Sequence, residues 1–187
     1  MFRIFVRRSA DLSYLSDDRA LELDGLRGGS AAWLPRGGTV DFEGVVQRLR
    51  ASPRSRVVGF DVVVAAPRPV SILLALDEHR APEVVRAHRE AVAGALEYLD
   101  ERAAVVRSRR GGGDEEEASS WANPVSFTHG VNRHGEPHLH DHLVLPAVAV
   151  GETRMNDPRA LFAHAATADA LYRSTLRALV GERTGYR

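Results

Sequence analysis

The sequence predicts one α+β domain organised around a mostly antiparallel sheet. Its 187 residues suit a single compact domain with a sizeable core. Strand-like and helix-like segments do not alternate regularly, which favours antiparallel over parallel pairing. Two strand-like segments, at Ala122–Thr128 and Leu139–Val150, are joined through GVNRHGEP, whose glycines and proline can reverse the chain.

The N-terminal half is expected to contain two strands, two helices and a loop. Runs of β-branched and aromatic residues indicate strands, and apolar residues three or four positions apart indicate helices. In chain order these elements are a strand at Phe2–Val6, a turn or short helix carrying Tyr14, a glycine-rich surface loop at 25–38 anchored by Trp33, a helix at Asp41–Leu49 capped by Asp41, a strand within RVVGFDVVVAAP that ends before Pro67, and a short helix at Ser71–Leu76.

The C-terminal half is expected to contain two long amphipathic helices and a mobile loop. Pro82 opens the first helix, and Asp157 with Pro158 begins the second, since proline is favoured at the first helical position. Residues 107–120, RSRRGGGDEEEASS, join basic and acidic blocks through three glycines and predict a mobile surface loop. The expected buried stripes are Val85, His88, Val92, Leu96, Leu99, Ala103 and Val106 in the first helix, and Leu161, Ala165, Ala168, Leu171, Thr175 and Leu179 in the second.

The composition excludes several kinds of chemistry. Without cysteine, any transition metal must be held by histidine and carboxylate ligands. All 25 basic residues are arginine, so a P-loop lysine and a Schiff-base lysine are both excluded. The net charge is zero, and nucleic-acid binding would therefore depend on local clusters, at Arg7–Arg8, Arg48–Arg56 and Arg107–Arg110. No secretory signal or membrane-length apolar run is visible, which favours a cytoplasmic location.

Five of the eight histidines lie in one segment, SFTHGVNRHGEPHLHDHLVL. On a strand, His140 and His142 project from the same face while Asp141 points away. Antiparallel pairing across the connection would bring His129 beside them, and three neutral imidazoles can hold a divalent cation. His134 and His138 lie in the connection itself and are expected to be solvated. A three-histidine metalloenzyme acting on a small molecule is an alternative, and it would need a deep closed pocket.

Two segments together resemble the relaxase domain of the TrwC/TraI type, the MobF conjugative relaxases. GFDVVVAAPRPVS at Gly59–Ser71 is similar to the family's Asp-containing segment, and FTHGVNRHGEPHLHDHLVLPAVAV carries its His, ten-residue gap and His-x-His pattern. The resemblance covers nearly the whole chain. It implies one short relaxase-like domain at 1–187 without a helicase domain, and a palm-like sheet of the HUH endonuclease class with helices packed on one face.

The resemblance also implies an activity and its residues. A tyrosine would attack single-stranded DNA at a transfer origin and form a 5′-phosphotyrosine. Tyr14 matches the nucleophile, Asp61 matches the catalytic aspartate, and the metal ligands would be His129, His140 and His142. The implied cofactor is a divalent ion such as Mg²⁺, Mn²⁺ or Zn²⁺, and separate relaxosome or helicase proteins are the implied partners. Arg68 replaces the family's lysine and is expected to contact DNA, and the local arginine cluster adds Arg7 and Arg8 as further expected DNA contacts.

One departure from the family pattern leaves an alternative open. Family members usually carry two tyrosine pairs near the N-terminus, whereas this chain has only Tyr14 there. The other tyrosines, at positions 98, 172 and 186, lie on the predicted helices or near the C-terminal end and suit a nucleophile less well. The alternative is a degenerate relaxase-like domain that binds metal, and single-stranded DNA as well, without catalysis.

Overall fold

Five strands form one antiparallel sheet in the computed structural model, which describes residues 1–15, 32–37, 40–51, 56–110, 113–151 and 154–186. In chain order the elements are β1 (Phe2–Arg7), a 3₁₀ turn (Ser13–Leu15), β2 (Ala32–Trp33), α1 (Phe42–Arg50), β3 (Gly59–Ala65), α2 (Arg68–Leu76), α3 (Ala81–Ala103), β4 (Val105–Arg110), β5 (Gly113–Ala118), β6 (Val125–Val131), β7 (Pro137–Pro146) and α4 (Pro158–Thr184). The sheet order is β1-β3-β7-β6-β2, and each neighbouring pair is antiparallel. The α+β prediction is confirmed.

The central strands β3 and β7 separate two hydrophobic cores, because successive side chains on a strand point to opposite faces. Helices α2, α3 and α4 cover one face, as expected, and enclose Phe60, Val62, Leu143 and Leu145 in the larger core. The short helix α1 packs on the other face, where Val45 and Leu49 join a smaller core with Val125, Phe127 and Val144 of the sheet. Among the described residues, the smaller core covers only part of that second face, and the remainder can accommodate a site.

Both predicted helix starts are confirmed by their hydrogen bonds. The Asp41 side chain accepts from the Gly44 amide at 3.0 Å, and the Asp157 side chain accepts from the Arg159 amide at 2.9 Å. The stripe expected in α3 is buried from Val85 to Ala103. The α4 stripe differs from the expectation, because the buried position after Ala168 is Tyr172 and not Leu171. A spacing of four keeps Tyr172 on the same helix face as Ala168.

Residues 107–120 were expected to form a loop, and that expectation is wrong in its secondary structure. Strands β4 and β5 form a separate antiparallel hairpin here, and α3 ends at Ala103 before reaching Val106. The register places Arg107 opposite Glu116 and Arg109 opposite Asp114, and the Arg107 side chain pairs with that of Glu116 at 2.5 Å. Opposite charges on facing strands stabilise pairing, so the charge blocks favour strands here.

Two expected features lie partly outside the described residues. Of the glycine-rich segment 25–38, only 32–37 are described, and Trp33 lies there on β2, beside β6. The arginine cluster from Arg48 to Arg56 is interrupted by the gap at 52–55. Among the helices that the structure describes, none has the length and apolar character needed to cross a bilayer.

Candidate metal and nucleophile site

Strands β6 and β7 bring the three predicted metal ligands together. His129 lies directly opposite His140 in the strand register, and His142 follows two residues later on the same face. The three imidazole rings have centroids 5.1–5.3 Å apart. One potential ligand atom from each residue lies within 4.8 Å of the other two. Three nitrogen donors at this separation can converge on one divalent cation.

The hydrogen bonds among the described residues leave one nitrogen of each imidazole available. The Nε2 atom of His129 lies 3.0 Å from the Leu15 carbonyl oxygen, and the Nδ1 atom of His140 lies 2.7 Å from the His138 carbonyl oxygen. A carbonyl oxygen only accepts, so each of these nitrogens must carry the proton and donate. The Nδ1 atom of His142 likewise donates to the Asp61 carboxylate at 3.0 Å. Each neutral ring therefore keeps one lone pair for a metal.

The electrostatic environment favours the neutral form of two of the ligands. Burial lowers the pKa of His129, and burial also lowers the pKa of His140 to about 4. Charged imidazolium loses hydration when it is buried, and the neighbouring histidines disfavour a further positive charge. At neutral pH these rings are consequently deprotonated, which is the form that binds a metal ion.

Tyr14 and Asp61 lie at the edge of the histidine triad. The Tyr14 hydroxyl donates to Asp61 Oδ2 at 3.1 Å, although the two residues are 47 positions apart. The Tyr14 ring meets His142 edge to face, with centroids 6.4 Å apart. Asp61 is only 4% exposed, so its carboxylate is held between the phenol and the imidazole. The structure thus places the expected nucleophile, aspartate and metal ligands in one cluster.

The hydroxyl group of Tyr14 is in an environment that disfavours its ionisation. Burial raises the pKa of Tyr14, the negative charge of Asp61 raises that pKa further, and Arg7 lowers it. The ring itself is 53% exposed, so a substrate can reach it from solvent. Tyr14 accordingly needs a base and a positive charge before it can act as a nucleophile near neutral pH.

A cleft of about 360 Å³ opens in front of the cluster. Its lining residues are Tyr14, Leu15, His129, Val131, Asn132, Arg133, His138, His140 and His142. His138 was expected to be a solvated histidine of the connection, but its ring lies 4.7 Å from the His140 ring and lines the cleft. His134 is exposed in the turn, as expected. The cleft lies over the open face of the sheet.

The predicted DNA-contacting arginines occupy different environments. Arg8 and Arg68 are exposed, and Arg68 is the first residue of α2. Arg7 is only 7% exposed, and its guanidinium donates to the Tyr14 hydroxyl at 2.5 Å. In the third cluster, Arg107 forms ion pairs with Glu116 and with Asp157. Of the three predicted DNA contacts, Arg8 and Arg68 are therefore exposed to solvent, whereas Arg7 is buried.

Sequence reasoning missed a second polar cluster on the opposite face of the sheet. Asp141 is fully buried and accepts from Ser126 Oγ at 2.6 Å, from Trp33 Nε1 at 2.8 Å and from His88 Nε2 at 2.9 Å. The other ring nitrogen of His88 lies 2.8 Å from the Tyr172 hydroxyl. A signal was present, because buried polar residues require partners and both Asp141 and His88 had been expected on that face.

The charge of Asp141 is stabilised within this cluster. Burial alone would raise the pKa of Asp141, but the electrostatic attraction of His88 and hydrogen bonds from His88, Ser126 and Thr128 hold it well below its usual range. The carboxylate therefore stays ionised and ties β7 to β2, β6 and α3. Through His88 and Tyr172 the same cluster reaches α4. These contacts stabilise β7, the strand that carries two of the triad histidines.

Comparisons with known proteins agree on the fold. A family model described as TrwC relaxase matches residues 14–187. A copper-bound structure of the conjugative relaxase TrwC with oriT DNA superposes with a TM-score of 0.82 and 23% identity, covering 100% of this chain and 72% of that one. A metal-bound TrwC complex with oriT DNA gives a TM-score of 0.81 at 22% identity, covering 100% and 71%. No curated protein matches the chain significantly.

A further solved structure holds TrwC with a 27-mer DNA comprising the recognition hairpin and the cleavage site. It superposes with a TM-score of 0.75 at 20% identity, covering 100% of this chain and 70% of that one. At such identities the structural likeness establishes the shared fold. The family match carries the relationship beyond the fold, because it spans all of the chain except its first 13 residues.

Proposed function

This chain belongs to the TrwC relaxase family, and we propose that it cleaves one strand of DNA by metal-dependent tyrosine transesterification during conjugative transfer. The observation that carries the proposal is a continuous chain of contacts. The Tyr14 hydroxyl donates to Asp61, and Asp61 in turn accepts from His142 of the triad. A nucleophile, a base and a metal ligand are thereby linked by two hydrogen bonds, which is the arrangement that activated nucleophiles require.

The proposed step begins at the phenolic oxygen of Tyr14. An unperturbed tyrosine has a pKa of about 10, so a base is needed at neutral pH. Asp61 accepts the phenolic proton as the oxygen bonds to phosphorus. The bond between phosphorus and the 3′-oxygen of the preceding nucleotide breaks, and that oxygen takes a proton from water. The products are a 5′-phosphotyrosine and a free 3′-hydroxyl, and the phosphotyrosyl bond allows later rejoining.

The triad residues fit a divalent cation, since each ring keeps one lone pair and the donor atoms lie within 4.8 Å of one another. When bound, such an ion would offset the negative charge that develops on the scissile phosphate. An all-nitrogen donor set suits Mn²⁺ or Zn²⁺ better than Mg²⁺, which prefers oxygen ligands. Asp61 also orients the His142 ring by accepting from its Nδ1 atom, and such outer hydrogen bonds support metal affinity.

The proposed substrate is single-stranded DNA at a transfer origin. TrwC structures that share the fold hold oriT DNA, and we extend that class of substrate to this chain. Arg8 and Arg68 are solvent-exposed cations at the end of β1 and the start of α2, where they can contact backbone phosphates. Separate relaxosome or helicase proteins would assist it.

The test is the detection of a covalent protein–DNA adduct. The protein would be incubated with a labelled single-stranded oligonucleotide library and Mn²⁺, and adducts would be mapped by denaturing gels and peptide mass spectrometry. We expect an adduct on Tyr14 that disappears with chelator and in the Tyr14→Phe and His140→Ala variants. Tyr98→Phe is the matched control, because Tyr98 lies between α3 and α4 with its hydroxyl bonded to His164.

The opposite outcome is equally informative. If the triad binds metal but no oligonucleotide is cleaved or attached to Tyr14, the proposed activity is wrong. The chain would then be a relaxase-like domain that retains the metal site without catalysis.

A further inference from the structure

Arg7 contacts the oxygen that is proposed to attack DNA. It is the last residue of β1 and is 7% exposed. Its Nη1 atom donates to the Tyr14 hydroxyl at 2.5 Å, and its Cζ atom lies 5.4 Å from the centre of the Tyr14 ring. The same Nη1 atom is 3.9 Å from Asp61 Oδ2. A buried guanidinium therefore lies beside both the nucleophile and its base, although the sequence suggested only a DNA contact for this residue.

The distances favour movement of the proton from Tyr14 to Asp61. Before transfer, the negative charge is on the Asp61 carboxylate, 3.9 Å from Arg7 Nη1. After transfer, the charge is on the Tyr14 oxygen, 2.5 Å from the same nitrogen. Coulomb attraction increases as the distance falls, so Arg7 stabilises the second arrangement more than the first. Arginine keeps its proton even when buried, so its positive charge is present in both arrangements.

We propose that Arg7 is a catalytic residue of this site, which stabilises the negative charge on the Tyr14 oxygen while the bond to phosphorus forms or breaks. The inference rests on the proposed transesterification. In rejoining, the Tyr14 oxygen is the leaving group, and Arg7 stabilises its departure in the same way. Arg7 acts on the transition state, so it accelerates cleavage and rejoining equally and leaves the equilibrium between intact and cleaved DNA unchanged.

Arg7 also has a structural contact that an experiment must separate from this role. Its Nη2 atom donates to the Asp11 carbonyl at 2.5 Å and to the Ser9 carbonyl at 3.4 Å. These bonds hold the segment that leads to Tyr14. Loss of Arg7 could slow the reaction through displacement of that segment, so a rate measurement alone would not identify the charge as the cause.

Chemical rescue with small molecules can distinguish the effect of the Arg7 charge from the effect of its structural hydrogen bonds. Arg7→Ala and Arg7→Gln would be assayed for adduct formation at saturating oligonucleotide, with a cleavable sequence taken from the wild-type screen. Each variant would be assayed alone, with added guanidinium, and with added urea, which is also planar and donates N–H hydrogen bonds but carries no charge. We expect the rate to fall about 100-fold, as for loss of one preorganised donor at a developing charge. Added guanidinium should raise the rate of adduct formation in these variants by at least about tenfold, and added urea should not raise it.

Two further readouts complete the experiment. DNA affinity, measured without metal, should change by less than about threefold, because the proposed effect lies in the transition state. Rejoining should slow by the same factor as cleavage. The control is Arg177→Gln, which removes one positive charge from the exposed side of α4. Unfolding curves would confirm that each variant is folded. The rescue of adduct formation would be measured in whichever Arg7 variant folds.

The outcomes distinguish this inference from the function on which it rests. If wild type forms the adduct but the Arg7 variants react at the wild-type rate, the inference is wrong and the proposed function stands. Equal rescue by urea and guanidinium, or rescue by neither, would also overturn it, since Arg7 would then act as a scaffold. If wild type forms no adduct with any sequence, the proposed function and the inference both fail.

Discussion

The two faces of β7 carry similar residues in different settings. On the open face, His140 and His142 lie beside Tyr14 and Asp61, and a cleft reaches them from solvent. On the helix face, Asp141 lies beside His88 and Tyr172, and all three side chains are 0% exposed. A tyrosine, a histidine and an aspartate are thus hydrogen-bonded to one another on both sides of one strand.

The difference between the faces lies in which polar atoms already have partners. On the helix face, both His88 nitrogens and both Asp141 oxygens are engaged by protein groups. On the open face, the part of the chain that the structure describes engages one nitrogen of each triad imidazole and leaves the other available. Fully satisfied polar networks in a core rigidify and specify the structure, whereas free lone pairs beside a cleft can bind a metal or react. The same residue types therefore serve structure on one face and are proposed to serve chemistry on the other.

The largest expected effect is on metal binding at the open face. His140→Ala removes one of three ligands, so we expect Mn²⁺ or Zn²⁺ affinity to fall at least about 100-fold. Adduct formation should fall about 1,000-fold, because the phosphate loses its charge stabilisation. Titration calorimetry would measure binding, with His134→Ala in the exposed turn as the control. Unchanged one-to-one binding in His140→Ala would place the metal elsewhere.

Substitutions of Asp61 on the open face and Asp141 on the helix face test the difference between the two faces. Asp61→Asn keeps the shape of the side chain but removes the base that accepts from Tyr14. General-base catalysis is worth about 100- to 10,000-fold, so we expect the adduct rate to fall by at least about 100-fold at saturating DNA. The free energy of unfolding should also fall, by about 1–3 kcal/mol, because Asp61 is buried and accepts from Tyr14 and His142. A variant with the wild-type rate would exclude Asp61 as the base.

Asp141→Asn is the matched change on the helix face. It removes the charge that His88 accompanies and disturbs hydrogen bonds from Ser126 and Trp33. Asparagine leaves at least one of these buried donors without its acceptor, so we expect a loss of about 3 kcal/mol in the free energy of unfolding. Denaturant titration would measure that loss. A change below about 1 kcal/mol would show that the buried cluster is not what stabilises this face.

The smallest expected effect is a pH dependence of the metal-free protein. Burial lowers the pKa of His140 to about 4 in the folded state, while an unfolded histidine titrates near 6.5. The unfolded chain therefore binds more protons as the pH falls below 6.5, and stability decreases. Between pH 7.5 and 5 the loss attributable to His140 is about 2 kcal/mol.

His140→Gln provides the control for this pH dependence, because it replaces the titrating ring with a neutral polar side chain. Unfolding would be measured in chelator at both pH values. The variant should lose about 2 kcal/mol less stability than wild type on acidification, with the remainder due to groups such as His129. Identical losses in both proteins would contradict the lowered pKa of His140.

Local patterns predicted the triad and most of the elements. The spacing of His140 and His142 places both on one strand face, and the short connection brings His129 opposite His140, so neighbouring residues contain this information. The place of Tyr14 beside Asp61 came from the family resemblance. The two residues are 47 positions apart, and no periodicity in the sequence indicates that they meet.

The features that sequence reasoning missed depend on register and helix packing. Strands β4 and β5 bring Arg107 opposite Glu116 and Arg109 opposite Asp114, and this register is not visible in a charge run alone. His88 is 53 positions from Asp141 and 84 from Tyr172. Their contact exists only once α3 and α4 pack on the sheet, so helical periodicity could indicate that His88 is buried without identifying its partner.

The most direct test of the contrast between the faces compares two tyrosines in the same assays. Tyr14→Phe and Tyr172→Phe each remove one hydroxyl, and both variants would be measured for adduct formation and for the free energy of unfolding. Tyr14→Phe should form no adduct and lose less than about 1 kcal/mol of stability. Tyr172→Phe should keep the adduct rate within about threefold and lose about 1–2 kcal/mol, because His88 loses its buried partner. An adduct in Tyr14→Phe, or a folded Tyr172→Phe protein without one, would contradict the assignment of chemistry to the open face alone.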